Sequence, residues 1–327
     1  MDQLNPKTHI YPKNNRADDA PPAIYVRAIM KHDTSLTWRH VDAQNLDLKG
    51  MRVAVVGGTG GIGQALSRLL ASRGARVLVV GQTFRDAGTQ GIEFLQADLS
   101  LMSEALRVAR LLPAESLDLL IFTTGIFAAS QRQETAEGIE RDLAVSYLNR
   151  MVILRDVGPK LGTDRPKAKN KPRVIVVGYP GTGQIGTFDD LNAERSYKAM
   201  SAHMNTVAGN EMLVLDAVQR YPHLDAFGLN PGLIKTSIRD NFFGKGSLKS
   251  RIAEGLIGLL TPTAETYAKR IVPLLVAPEI EAHSGAMFNS KGQAILPSAG
   301  MTEAHISQFM IASETLIART GVSVAAA

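Results

Sequence analysis

The stretch that decides the fold is KGMRVAVVGGTGGIGQALSRLLASRG, which runs from Lys49 to Gly74. It opens with a short, mostly β-branched apolar run at residues 51–56 and then passes through a cluster of glycines. The remaining residues place leucine and isoleucine at helical spacing. The sequence therefore predicts a buried strand, a tight turn and an amphipathic helix that ends near Gly74.

The same alternation of apolar runs and helical segments continues along the chain. Further strands are predicted at residues 76–80, 92–98, 117–124, 173–177, 225–230 and 285–289. Apolar strands that alternate with helices are typical of a parallel sheet covered on both faces. We therefore predict an α/β fold, a doubly wound parallel sheet of the Rossmann type, in one domain over residues 49–327. Residues 1–48 are predicted to be an N-terminal extension, and residues 238–270 a C-terminal substrate lid.

Composition excludes several functional classes. The 327 residues include no cysteine, so no disulfide, thiolate nucleophile or cysteine-bound metal can form. The seven histidines show no metal-ligand spacing, and we predict no metal site. The first fifteen residues lack the apolar core of a secretory signal, and no apolar run approaches the roughly 18 residues of a membrane helix. We expect a cytoplasmic protein with no membrane contact.

The net charge of +5 is local. Between Lys160 and Arg173 lie six Lys and Arg residues and one Asp, which accounts for the whole excess. Glycine, asparagine and two prolines in the same segment predict an exposed, solvated loop. We therefore expect no nucleic-acid partner, although a local anion site on this loop stays open.

The glycine cluster is the strongest chemical signal. Residues without Cβ let the chain bend and approach a pyrophosphate, and the following helix N-terminus offers unpaired N–H groups and a partial positive charge. The strand, turn and helix around the cluster supply the context that this motif needs. The sequence predicts a dinucleotide site formed here by Gly57, Thr59, Gly60, Gly61, Ile62 and Gly63.

The spacing Gly57-x-x-x-Gly61-x-Gly63 resembles that of the short-chain dehydrogenase/reductase family, and other parts of the chain agree. Asp98-Leu99 after the third strand, Thr123-Thr124-Gly125 after the fourth, and the segment Asn230–Thr236 are similar to family motifs. The resemblance implies that Asp98 and Leu99 contact adenine and that the last segment holds the nicotinamide carboxamide. It adds these cofactor-binding residues: Asp98, Leu99, Thr124, Gly125, Pro231, Gly232, Leu233, Ile234 and Thr236.

The end of the second strand bears on the choice of nicotinamide. An NAD site usually places an acidic side chain there to accept the ribose hydroxyls. This chain has Gln82, Thr83 and Arg85 instead, with no acidic residue before Asp86. These side chains are donors, and a guanidinium suits a 2′-phosphate. We predict NADP rather than NAD.

The catalytic part of the family pattern is not intact. The family uses a Tyr and a Lys four residues later on one helix, a Ser at the end of the fifth strand, and an Asn on the fourth helix. Here Ser146 stands at the Asn position and Gly178 or Tyr179 at the Ser position. A helix that carries Tyr197 would place Ser201 at the Lys position. We predict Tyr179 and Tyr197 as candidate proton donors, with Ser146 as a third candidate site residue.

These features predict an NADP(H)-dependent oxidoreductase that acts on a small, hydrophobic carbonyl or alcohol with a non-standard proton donor. Two alternatives stay open because the Tyr–Lys pair is missing. One is a non-redox enzyme, such as an isomerase, cyclase or dehydratase, that uses the nucleotide structurally. The other is a catalytically inactive NADP-binding protein. The resemblance also implies a homodimer or homotetramer.

Overall fold

The computed structural model describes residues 30–166, 170–234 and 262–324. In this part of the chain eight strands form one sheet in the order β3-β2-β1-β4-β5-β6-β7-β8. All neighbouring strands pair in parallel, except that β8 is antiparallel to β7. The strands are β1 (Arg52–Val56), β2 (Arg76–Gly81), β3 (Ile92–Gln96), β4 (Leu119–Phe122), β5 (Arg173–Val177), β6 (Asp225–Leu229), β7 (Met287–Phe288) and β8 (Ala294–Ile295). The predicted α/β fold is confirmed, and β8 is an addition to it.

Helices cover both faces of the sheet. They are α1 (Gly61–Ser72), α2 (Met102–Leu111), α3 (Arg141–Leu143), α4 (Asn149–Val157), α5 (Ala199–Arg220), α6 (Ala264–Leu275) and α7 (Glu303–Ala318). One apolar core joins the sheet to α2, α4, α5 and α7, and a second joins the other face to α1 and α6. None of the helices in the described ranges has the length and apolar character needed to cross a membrane.

The strand order reverses at β1, whose neighbours are β2 on one side and β4 on the other. The chain leaves the carboxyl ends of β1 and β4 in opposite directions, which opens a crevice between the two loops. The glycine cluster follows β1 directly, so the fold places it at this crevice.

The far edge of the sheet is extended by residues from the N-terminal segment. His32 pairs antiparallel with Ile295 of β8, and Asp33 N donates to Ala294 O at 3.0 Å. Trp38 Nε1 donates to the carbonyl of Gly292 at 2.7 Å. Of the predicted substrate lid, residues 238–261 lie outside the described residues, and α6 begins at Ala264.

The prediction of a fully solvated basic loop at residues 160–173 was wrong at two of its charges. Arg165 Nε donates to Asp118 Oδ1 at 2.7 Å, and only a seventh of its side chain is exposed. Arg173 is the first residue of β5 and is buried, where it donates to the carbonyls of Leu275 and Ala277. Both guanidiniums therefore have structural partners that the composition of the segment did not show.

A buried ion cluster joins three helices on the α5 face. The fully buried Arg155 of α4 donates to Asp216 of α5 at 2.6 Å and to Glu314 of α7 at 2.9 Å. Because two carboxylates share this guanidinium, removing it leaves two negative charges without their main partner.

We expect Arg155→Met to lower the free energy of unfolding by about 3–5 kcal/mol, because Asp216 and Glu314 would lose the cation with which they pair. The surface pair of Arg319 and Glu194 serves as the control, because both side chains are about half exposed. Arg319→Met should cost at most about 1 kcal/mol. Urea unfolding of the two variants measures the difference, and equal losses would contradict the structural role of Arg155.

Candidate functional site

The glycine turn presents an uncapped helix N-terminus to the crevice. Helix α1 begins at Gly61, and its N-cap Gly60 has no side chain that could accept from the first-turn N–H groups. Gly61 has a φ of +52°, in the left-handed region that favours glycine. Unpaired N–H groups and the helix dipole together form an anion-binding site.

Two of the glycines are required by close packing. A Cβ on Gly57, whose φ is +90°, would lie 2.5 Å from the backbone nitrogen of Thr124. A Cβ on Gly63 would lie 2.5 Å from the carbonyl oxygen of Gly57. The turn is therefore packed against the first residues after β4, where it has no room for a Cβ at Gly57 or Gly63.

The rim of the crevice, where the chain leaves β2, carries an exposed guanidinium and a buried carboxylate. Arg85 is exposed and donates from Nη1 to the carbonyl of Thr59 in the glycine turn at 2.9 Å. Asp86 is buried against α1, where it accepts from Gln64 Nε2 at 3.1 Å and from Arg68 Nε at 2.7 Å. Both carboxylate oxygens of Asp86 therefore accept from side chains of α1. Asp86 does not supply the acidic side chain that would accept the ribose hydroxyls of NAD.

Asp98 lies on the other wall of the same rim. Its Oδ1 accepts from Gln82 Nε2 at 2.9 Å and from the Ser100 backbone nitrogen and hydroxyl. Although burial alone would raise its pKa, the hydrogen bonds from Ser100 and Gln82 outweigh it and lower the pKa of Asp98. Asp98 therefore carries its charge at neutral pH, and Leu99 beside it is buried.

The structure describes the loop after β6 as far as Ile234. Asn230 Oδ1 accepts from Gly232 N at 3.0 Å, and Asn230 Nδ2 donates to the carbonyl of Pro180 at 2.9 Å. Leu233 is 43% exposed while Ile234 is buried, so the loop turns one apolar side chain outward. Thr236 lies outside the described residues.

The helix opposite the glycine turn contains a π-helical segment. Helix α3 continues through a π turn at Ala144–Leu148 into α4. Asn149 Nδ2 donates to the carbonyls of Ala144 and Val145, at 2.8 and 2.5 Å, and satisfies groups that the wider turn leaves open. Ser146 sits within this turn, and π turns often occur at functional sites.

Three polar side chains meet next to the π turn. Ser146 Oγ donates to Asp142 Oδ1 at 2.5 Å and accepts from the backbone nitrogen of Ile126 at 3.0 Å. The second oxygen of Asp142 lies 2.7 Å from His203 Nδ1 of α5. Ser146, Asp142 and His203 thus form one connected network, which the sequence did not reveal because His203 is 61 residues from Asp142.

A buried cation lies behind the ends of β4 and β5. Arg150 of α4 donates to the carbonyls of Thr124 and Val177, and to Asn210 Oδ1 at 2.9 Å. Burial lowers the pKa of Arg150 to about 9, so the guanidinium is still charged at neutral pH. It forms no ion pair with any described residue.

The expected register of α5 was wrong. The helix begins at Ala199, after both Tyr197 and Lys198, so neither residue lies on its catalytic face. The residue that faces the end of β5 is Asn210, because a Cβ on Gly178 would lie 3.1 Å from the Cβ of Asn210. Asn210 Nδ2 also donates to the carbonyl of Ser146 at 2.8 Å.

Helix α5 contains neither Tyr nor Lys, so no register of this helix can present the family's Tyr–Lys pair. Thr206 lies four residues before Asn210, so the two side chains lie on one side of the helix. His203 lies about one turn before Thr206 on the same side of the helix.

The two predicted tyrosines stay predictions as proton donors. The Tyr197 hydroxyl donates to the carbonyl of Ala129 at 2.6 Å. Burial, together with the negative charges of Glu140 and Asp142, raises the pKa of Tyr197 to about 12. Tyr179 is half-buried immediately after β5. No cluster of His, Asp or Glu suited to a metal ion occurs in the described ranges.

The chain is similar to proteins that are named oxidoreductases. It is 52% identical over 291 residues to an uncharacterized oxidoreductase of Saccharomyces cerevisiae, covering 88% of this chain and 94% of that relative. It is 28% identical over 267 residues to the polyprenol dehydrogenase of Mus musculus, covering 74% and 77% of the two chains. No model of a known protein family matches the chain.

Solved structures show the same fold. A short-chain dehydrogenase/reductase from Serratia marcescens superposes with a TM-score of 0.54 at 20% identity, covering 76% of this chain and 98% of that one. A protein from Mycobacterium paratuberculosis reaches a TM-score of 0.61 at 18% identity, covering 88% and 100%.

The packing of the glycine turn gives a direct test of the geometry. We expect Gly63→Ala to lower the free energy of unfolding by about 1–3 kcal/mol, because its Cβ would overlap the carbonyl of Gly57. Gly125→Ala is the matched control, since its nearest neighbour, Ser146 Oγ, would be 3.8 Å away. Thermal and urea unfolding measure both variants, and a neutral Gly63→Ala would show that the turn is looser than described.

Proposed function

Because the chain belongs to the short-chain dehydrogenase/reductase family, we propose that it is an NADP(H)-dependent oxidoreductase that acts on a small, hydrophobic carbonyl or alcohol. The observation that carries this proposal is the crevice beside β1, where an uncapped helix N-terminus and a glycine-rich turn lie next to the exposed Arg85. An oxidoreductase of this type needs such a site for its nucleotide.

The residues present fit a dinucleotide along the whole crevice. The N-terminus of α1 would hold the diphosphate, and Asp98 with Leu99 would border the adenine. Residues 231–234 would hold the nicotinamide end, beside Thr124 and Gly125. Bound there, NADPH supplies a hydride, and the protein supplies position and a proton.

Charge at the rim favours NADP over NAD. The exposed guanidinium of Arg85 forms no ion pair with any described residue, so it can receive a phosphate. The nearby carboxylate of Asp86 is buried against Arg68 and Gln64, and so cannot accept the ribose hydroxyls of NAD. Gln82 already donates to Asp98, and Arg85 uses one N–H group on the carbonyl of Thr59. The donors of the rim that could bind a phosphate are therefore Thr83 and the other N–H groups of Arg85.

Exposed apolar side chains support a hydrophobic substrate. Ile185, Leu233 and Leu296 are each more than 40% exposed and lie in the segments that follow β5, β6 and β8. Gly181, in the segment that follows β5, lies against Ile295 and the carbonyl of Leu296. The segments that carry Ile185 and Leu296 are therefore adjacent. The relative from Mus musculus is named for polyprenol, an apolar alcohol.

The absence of both Tyr and Lys from α5 supports a second candidate function. A non-redox enzyme or an inactive nucleotide-binding protein would need no Tyr–Lys pair. Equilibrium titration with NADPH and NADH, followed by turnover at the nicotinamide absorbance with octanal, citral, acetophenone and cyclohexanone, separates these functions. We expect tight, NADPH-selective binding and turnover of at least one carbonyl. Binding without turnover of any carbonyl would favour the second candidate, and light scattering would test the proposed homodimer or homotetramer.

We expect Arg85→Ala to weaken NADPH binding by roughly 10- to 150-fold and to leave NADH binding nearly unchanged. The reason is that a hydrogen bond to a charged group contributes about 1.5–3 kcal/mol. Arg110→Ala, at an exposed position on α2, is the control and should change neither affinity. Equal losses for both nucleotides in a fluorescence titration would contradict a 2′-phosphate contact.

A further inference from the structure

We propose that His203, oriented by Asp142, is the proton donor and acceptor of this site, in place of the family's tyrosine. This inference rests on the proposed oxidoreductase function. The missing Tyr–Lys pair leaves a reduced carbonyl oxygen without a source of its proton, and the His203–Asp142 dyad is the titratable pair that the fold brings to that part of the crevice.

The hydrogen bonds of Asp142 fix the imidazole. Its side chain is completely buried, and its two oxygens contact Ser146 Oγ at 2.5 Å and His203 Nδ1 at 2.7 Å. Ser146 is itself held by the backbone nitrogen of Ile126 at 3.0 Å. A carboxylate is an acceptor only, so Nδ1 carries the hydrogen and Nε2 is left as the basic nitrogen of neutral His203.

The imidazole of His203 is partly exposed. Nε2 has no hydrogen-bond partner among the described residues, and the side chain keeps 17% of its surface exposed. The ring contacts that of Phe127, with centroids 4.7 Å apart. Phe127 lies in the loop that leaves β4, and β4 forms one side of the crevice, so His203 stands beside the proposed substrate position.

The other hydroxyls near this position are less suited to the task. The hydroxyl hydrogen of Thr206 is already used, because it is donated to the carbonyl of His203 at 2.8 Å. Tyr197 donates to the carbonyl of Ala129. Ser146 is held between Asp142 and Ile126, which makes Ser146 and Asp142 positioning residues for the imidazole.

The reaction balances with these groups. In the reductive direction, the carbonyl carbon accepts a hydride from NADPH, and the π electron pair moves to the carbonyl oxygen. That oxygen takes a proton from Nε2–H of the His203 imidazolium, which gives the alcohol, NADP⁺ and neutral imidazole. The carboxylate of Asp142 stabilises the imidazolium before transfer, and a proton from solvent restores it afterwards. Oxidation of the alcohol reverses each step.

The first experiment compares kinetics with nucleotide affinity. We expect His203→Gln to lower kcat for the best carbonyl of the panel by 10²- to 10⁴-fold, the usual contribution of general acid catalysis, while the Kd of NADPH changes less than twofold. His223→Gln is the matched control and should keep full kcat, because His223 contacts the carbonyl of Gly158. A His203→Gln variant with kcat within threefold of the wild type would overturn the proposal.

The second experiment reads the dyad without turnover. In ¹⁵N-histidine-labelled protein without nucleotide, neutral His203 should carry its hydrogen on Nδ1. His223 and His305 contact carbonyl oxygens through Nε2 and should carry it there, which provides an internal reference. The signal of His203 is assigned by its loss in His203→Gln. Asp142→Asn should abolish the preference for Nδ1–H and lower kcat at least tenfold with unchanged NADPH affinity.

An Nε2–H form of His203 in the wild type, or an active Asp142→Asn variant, would overturn the role of the dyad while the oxidoreductase function stands. Failure of the wild type to bind NADPH or to reduce any carbonyl of the panel would overturn the proposed function instead, and the donor role of His203 with it.

Discussion

The buried guanidinium of Arg150 is the interaction on which the site depends. It donates to the carbonyls that close β4 and β5 and to Asn210 of α5, and so joins two strands and two helices at one point. A buried charge is stable only where several acceptors compensate for lost water. Because Arg150 occupies these acceptors, the distances between the strand ends, the π turn and α5 are held within narrow limits.

The nucleotide-binding residues are predicted from the sequence alone, because the features that indicate them are local. The glycine spacing, the absence of an acidic residue at the end of β2 and the segment after β6 each lie within a few residues of a strand. Parallel strands carry such segments to one edge of the sheet, so the order of the strands is enough to assemble them.

The residues that we propose for proton transfer could not be predicted, because they are brought together by contacts between distant segments. Helix α5 begins at Ala199, so Tyr197 lies outside it. No residue pattern around Ala199 predicts that the helix begins there. The role proposed for His203 depends on its contact with Asp142. The position of Asn210 is set by its contacts with Arg150 and Gly178. Each of these contacts depends on how α5 packs against the π turn. The hydrophobic periodicity of the sequence does not predict that packing.

The site contains two buried groups of opposite charge. Asp142 is negative and completely buried, and Arg150, eight residues later on the same helical segment, is positive and buried. Burial lowers the pKa of Arg150, and the attraction of the Asp142 carboxylate opposes that effect. In the family pattern a lysine next to the tyrosine places a positive charge beside the proton donor. Here the positive charge contacts Asn210 instead, and a negative charge contacts the imidazole. An imidazole needs that opposite arrangement, because its acidic form is a cation and a neighbouring carboxylate stabilises it.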